Sequence, residues 1–232
     1  MATPKNGYYA KDGARVPGTT TVIGRFKDSG ALIKWAYRQG VEHENMRSRG
    51  MPAPADLYEV QEAAADIGTV VHDMVELHVK GRPPAEIEQQ KARLPGEAQA
   101  KADSAYGAFK SWAAMVSLEV VATEVPMVSE LHRFGGTPDC VARINGHVCL
   151  LDWKTSNAVY SDYLIQLAAY RELWNECMPD LPITGPSHLL RFSKENGDFA
   201  HHFYPDLSEG WRQFLLYRQA YEIDKALKKR AA

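Results

Sequence analysis

Residues 135–170 read GGTPDCVARINGHVCLLDWKTSNAVYSDYLIQLAAY, and this stretch decides the fold. Two apolar runs, TPDCVARI and HVCLLDW, flank Asn145-Gly146. Asn-Gly between such runs signals a two-residue hairpin, because both turn positions need a positive φ. Asp139 lies six residues before Asn145, and Asp152 six after Gly146. Pairing across the turn therefore sets the two carboxylates near opposite one another at one end of a sheet. Asp139 is expected to open the first strand and Asp152 to close the second. Lys154 lies two residues beyond Asp152, so on an extended chain it shares that face. An acid inside VCLLDW is costly unless it is paired or holds a cation. Two carboxylates can share a hard divalent ion such as Mg2+, and a nearby ammonium can hold or help deprotonate a water. Such a set suits phosphodiester hydrolysis. An acid-x-lysine triplet alone arises by chance about once in a chain of this composition; the hairpin symmetry sets this one apart.

Downstream, residues 161–177 carry Leu164, Leu167, Ala168, Arg171 and Trp174 at helical spacing. A second hairpin is expected over 187–204, around Glu195-Asn196-Gly197, and a closing helix over 207–229. Upstream, LEVVATEVPMV at 118–128 reads as one strand, antiparallel to its successor. Residues 97–117 read as a helix with Ala102, Tyr106, Phe109 and Ala113, and the polar residues 85–95 as a connection. Residues 56–80 form a long helix with Val60, Ala64, Ile67, Val71, Val75 and Val79 on one face, ended by Gly81-Arg82-Pro83-Pro84. Residues 30–46 read as a helix with Leu32, Trp35, Ala36 and Gln39 on one face, and 47–55 as a loop. Thr19, Thr20 and Thr21 offer N-caps to a short helix. This order predicts an α/β fold, a small mixed β-sheet flanked by α-helices with N-terminal helical additions.

A chain of 232 residues with 45% hydrophobic and 24% charged residues is ordinary for a globular domain. The net charge of −2 lends no support to nucleic-acid binding, so any basic surface must be local. One basic run, KALKKR at 225–230, suits a helix C-terminus. Cys140, Cys149 and Cys177 form no C-x-x-C pair, which argues against disulfides and cysteine-ligated metals and predicts buried free thiols. No run approaches the roughly 20 apolar residues of a membrane helix. The opening segment, MATPKNGYYAKDGARVP, lacks the apolar core of a signal peptide, and the expected location is the cytoplasm.

Pro138-Asp139 followed by Asp152-Trp153-Lys154 resembles the PD-(D/E)XK nuclease superfamily. Gln166 and Tyr170 match the Q-x-x-x-Y pattern of its RecB-type branch, and Gly68-Thr69-Val70-Val71-His72 matches that branch's G-x-x-x-His helix motif. VPGTTTVIGRF and LIKWA are similar to segments of stand-alone phage-type recombination exonucleases. The resemblance runs from about residue 16 to 175 and implies a single nuclease domain over 1–232 with a restriction-endonuclease-like core. Residues 1–55 would be an N-terminal extension, 56–177 the catalytic core, and 178–232 the hairpin and closing helix.

The resemblance also implies roles. Asp139 and Asp152 would bridge Mg2+ or Mn2+, with His72 and the Trp153 backbone carbonyl as further ligands. Lys154 would orient the attacking water. Gln166 and Tyr170, four apart on one helix face, would contact the DNA backbone or brace the site. Glu76, one turn beyond His72, and Glu124 could support it. Some RecB-type nucleases carry a four-cysteine iron–sulfur cluster; with no cysteine before Cys140, none is expected here. The absence of G-x-x-x-x-G-K-[ST] points to a free-standing nuclease or a subunit of something larger. The expected activity is a metal-dependent DNA exonuclease of recombination, repair or phage DNA processing, with a single-strand annealing protein as a partner by analogy. A structure-specific or single-strand endonuclease and a catalytically inactive DNA-binding module are the alternatives.

Overall fold

A computed structural model of the chain describes residues 7–27, 30–52, 57–156, 158–192 and 199–231, with backbone alone at 31–32 and 57–66. The Asn145-Gly146 turn is formed: both residues have positive φ, 52° and 81°, the pattern of a type I′ turn. It joins β6 (Cys140–Ile144) to β7 (His147–Thr155), with Cys140 opposite Leu151. Around this hairpin a five-stranded sheet runs in the order β3-β6-β7-β8-β9. β3 is Glu119–Thr123, β8 is Ser187–Phe192 and β9 is Phe199–Tyr204. The pair β7–β8 is parallel and the others are antiparallel, so the sheet is mixed. The second hairpin, β8–β9, forms as expected, and its Glu195-Asn196-Gly197 turn lies outside the described residues.

Helices cover both faces. α3 (Leu57–Val79), α4 (Pro84–Lys91) and α5 (Gly96–Met115) lie on one side. Their Val71, Met74 and Phe109 pack with Cys149, Leu151 and Trp153 of β7. α1 (Thr19–Arg25), α6 (Ser161–Cys177) and α7 (Ser208–Ala231) lie on the other, where Val148 and Leu150 of β7 meet Leu167 and Leu173 of α6. The two-residue alternation along β7 thus feeds two separate cores. Helix α6 buries most of its circumference, from Ile165 to Trp174, because α1, α7 and the sheet enclose it.

Several expectations need correction. The run 118–128 is not one strand. It breaks at Glu124, whose φ is 48°, and the remainder enters a separate two-stranded sheet of β4 (Met127–Ser129) and β5 (Phe134–Gly136). The segment 85–95 contains α4, which Pro84 opens with its fixed φ. α2 (Gly30–Ser48) is helical, yet Trp35 is exposed, as are Ile33, Tyr37 and Val41. Of the expected face, Trp35 is exposed, Ala36 and Gln39 are half-buried, and the Leu32 side chain lies outside the described residues. Thr19 does not cap α1: Gly18 holds the N-cap position, and buried Thr19 donates its Oγ1 hydroxyl to the Gly135 carbonyl. A short N-terminal hairpin, β1 (Tyr8–Tyr9) with β2 (Arg15–Val16), packs nearby. Cys140 and Cys149 are buried free thiols, and Cys177 is half-buried.

Candidate active site

Asp139 lies one residue before β6, and Asp152 lies inside β7 rather than at its end. β7 continues to Thr155 because its last residues pair with β8, Asp152 opposite Leu189 and Lys154 opposite Arg191. β6 stops short of them, so one edge of β7 is open at Asp152. The Trp153 N–H uses that edge and donates to Asp139 Oδ2 at 3.1 Å. This bond ties the two acid-bearing segments together at the register the turn dictates.

His72 arrives from α3, 67 residues earlier in the chain. Gly68 makes its approach possible: a Cβ there would sit 2.5 Å from Thr155 Oγ1. With hydrogen in that place, α3 lies directly on the end of β7. One turn later the His72 ring stands 5.9 Å from the Trp153 ring, and its Nε2 reaches 3.3 Å from Asp139 Oδ1. The Lys154 ammonium meets Asp152 at 2.9 Å to Oδ1 and 2.7 Å to Oδ2. Both aspartates are 1% exposed, so nearly all of their charge must be balanced by protein neighbours or a bound cation.

Electrostatics separate the two acids. Burial and the neighbouring Asp139 push the Asp152 carboxyl up to about 7, against the pull of Lys154. Burial also works against ionisation of Asp139, but the close approach of His72 and the Lys154 ammonium outweigh it and hold that carboxyl at about 2. Lys154 is raised: the attraction of Asp152 and Asp139 exceeds the desolvation that opposes its charge. Without a metal, ionisation is therefore favoured at Asp139 and opposed at Asp152, and the lysine is held charged.

The donors suit a divalent cation. His72 Nε2, Asp139 Oδ1 and Asp152 Oδ2 are buried atoms with no hydrogen bond of acceptable geometry. Two carboxylate oxygens and an imidazole nitrogen are suitable ligands for Mg2+ or Mn2+. The donor atoms of His72, Asp139 and Asp152 do not all lie within 4.8 Å of one another, whereas on α3 those of His72, Asp73 and Glu76 do. Asp73 is there paired with Arg93 and Glu76 with Lys80.

The other anticipated residues fall into distinct places. Gln166 Nε2 donates to the Tyr170 hydroxyl at 3.0 Å, and both residues are buried. Burial raises the Tyr170 phenol well above its usual value. Neither residue lies on an open surface. Glu124 is linked to the site through its backbone, its N–H donating to the Asp139 carbonyl at 3.2 Å.

Sequence reasoning missed Tyr8, whose hydroxyl bonds Thr137 Oγ1 at 2.9 Å, two residues before Asp139. Tyr8 also lines a cavity of about 380 Å³ with Arg15, Thr20, Thr21, Tyr221 and Lys225. It missed Tyr163 too, whose ring centre lies 5.5 Å from Lys154 Nζ. Local sequence carried little signal for either: one sits in a Gly- and Tyr-rich leader, the other at a helix start.

The model of the PD-(D/E)XK nuclease superfamily matches residues 42–200, which contain all of these acids, His72 and Lys154. The chain belongs to the PD-(D/E)XK nuclease superfamily. Among solved structures, a candidate exonuclease from Eubacterium rectale superposes with a TM-score of 0.50 at 14% identity, covering 93% of this chain and 84% of that one. An alkaline exonuclease from Laribacter hongkongensis, in complex with dAMP, gives a TM-score of 0.37 at 15% identity over 72% of this chain and 95% of that one. A sequence search of curated proteins finds no match. The mixed sheet between two helical layers is the restriction-endonuclease-like core of this superfamily. Among the described residues, no helix is long and apolar enough to cross a membrane.

Proposed function

We propose that this PD-(D/E)XK protein is a divalent-metal-dependent DNA exonuclease acting in recombination, repair or phage DNA processing. The convergence of buried Asp139 and Asp152 with half-buried Lys154 and His72, through the His72–Asp139 and Lys154–Asp152 contacts, carries the reading. His72, Asp139, Asp152 and the Trp153 carbonyl would hold Mg2+ or Mn2+, which supplies Lewis acidity at the scissile phosphate. Trp153 N–H fixes the Asp139 carboxylate, so one ligand is oriented before any cation binds. Lys154, with its raised pKa, stays charged; it acts as a donor that holds the attacking water and offsets negative charge developing on the phosphate, not as the base. Gln166 and Tyr170, buried on α6 and hydrogen-bonded to each other, would brace the site.

The exonuclease form draws on the VPGTTTVIGRF and LIKWA resemblance and on the exonuclease designation of the Eubacterium rectale neighbour. A single-strand annealing protein would be its partner by analogy. End-labelled linear DNA and closed circular DNA, each incubated with Mg2+, Mn2+ or EDTA, test it. Degradation of the linear DNA alone, abolished by EDTA, is expected. Nicking of circles would make the protein an endonuclease, and no cleavage of either DNA would make it a binding module.

A further inference from the structure

The start of α6 places two aromatic rings beside Lys154. Lys154 Nζ stands 5.5 Å from the centre of the Tyr163 ring, a cation–π distance. The Tyr160 ring meets Tyr163 edge-on, with centres 5.5 Å apart and planes at 83°. Tyr163 is half-buried and packs against the α6-side core, so its position is fixed by the fold. Tyr160 is 49% exposed, and its ring centre lies within about 11 Å of the ammonium. Strand phosphates rise about 3.4 Å per nucleotide when stacked, so this ring is no more than about three steps from a phosphate at Lys154. Exposed Lys27 pairs with Asp162 at 3.0 Å on the first turn of the same helix.

Resting on the nuclease reading above, we propose that Tyr160 is a nucleobase-stacking site for the strand being cut, with Tyr163 as its buttress. The tyrosine–tyrosine contact presets the outer ring, so little freedom is lost when a base lies on it. Bases inside a duplex are covered on both faces by their neighbours. Only an unpaired or terminal base presents a free face, so this site favours a single-stranded or frayed end over a closed duplex.

The test uses the full chain with Lys154→Ala in Mg2+, to slow cleavage, and single-stranded oligonucleotides carrying 2-aminopurine at each of the last four positions. Quenching is expected at one position. Adding Tyr160→Ala should remove it and weaken binding roughly 5- to 100-fold, the range for loss of a stacking aromatic. Tyr160→Phe should keep both. Affinity for a closed circular duplex, Mn2+ affinity by calorimetry and Tm should be unchanged in either variant. Unaltered quenching and affinity in Tyr160→Ala overturn the stacking site while leaving the nuclease reading intact. A wild-type protein that neither binds nor degrades any DNA overturns both.

Discussion

Gly68→Ala probes whether the helix-to-strand approach assembles the site. The added Cβ would lie 2.5 Å from Thr155 Oγ1 and 3.6 Å from Thr155 Cβ. Ordinary contact needs about 3.4 Å, so α3 must retreat by about 1 Å at this point. Thr155 is β-branched and sits in a strand, and its restricted χ1 limits how far the hydroxyl can yield. The retreat carries His72 with it, one turn away, and opens its 3.3 Å approach to Asp139. Overpacking costs about 1–3 kcal/mol, and replacing Gly in a helix returns about 1 kcal/mol, so the fold should lose about 2 kcal/mol at most. Function should lose more: a misplacement of about 1 Å at a reacting centre can cost on the order of 100-fold in rate. Hydrolysis of end-labelled linear DNA and Mn2+ calorimetry are the assays. Gly68→Ala is expected to weaken both with a small drop in Tm. Thr155→Ala in the same chain should restore them, because it removes the clashing hydroxyl and leaves the 3.6 Å carbon contact. Wild-type rate and metal affinity in Gly68→Ala would refute the argument, and so would failure of the second substitution to rescue.

Four further outcomes follow from the electrostatics and the Gln166–Tyr170 bond. The Asp152 carboxyl at about 7, against an ordinary 3.8, binds more protons folded than unfolded. It therefore stabilises the metal-free protein below pH 4, and that contribution is lost as pH rises through 7. Wild type in EDTA should lose on the order of 4 kcal/mol relative to Asp152→Asn between pH 4 and 8; parallel Tm curves for the two proteins would contradict this. Because that proton must leave before the carboxylate can bind a cation, Mn2+ affinity should climb with pH up to about 7, and Asp139→Asn should abolish or greatly weaken the site in calorimetry. Tyr170→Phe removes the acceptor of the Gln166 amide and should cost about 1–2 kcal/mol in chemical denaturation, with metal affinity little changed.

The central hairpin was legible because its turn residues and flanking runs are local in sequence. Asn145-Gly146 specifies the register, and the register specifies which acids meet. The features that were not legible depend on long-range contacts or unusual backbone. Parallel pairing with β8, over thirty residues later, carries β7 past Asp152 to Thr155. Glu124 and Arg133 adopt positive φ without being glycine, so the break in the Val-rich run and the β4–β5 connection had no Gly or Asn to announce them. The spacing in α2 resembles that of a packed helix, but among the described residues little lies against it. His72 could be placed at the site only through a motif, since nothing in local periodicity says that α3 crosses the end of β7. The burial of Gln166 and Tyr170 was likewise hidden: α6 is enclosed on almost every side, and helical spacing alone assigns it one core face.

The central claim is that one cluster of Asp139, Asp152 and Lys154 performs metal-dependent DNA hydrolysis. The rate of Lys154→Ala on end-labelled linear DNA in saturating Mg2+, measured beside its Mn2+ affinity, tests it most directly. The account predicts a rate loss of about 100- to 10,000-fold, the range for removal of a positioned proton-transfer or water-holding group, with the metal still bound. A Lys154→Ala protein that degrades DNA as fast as wild type would contradict it.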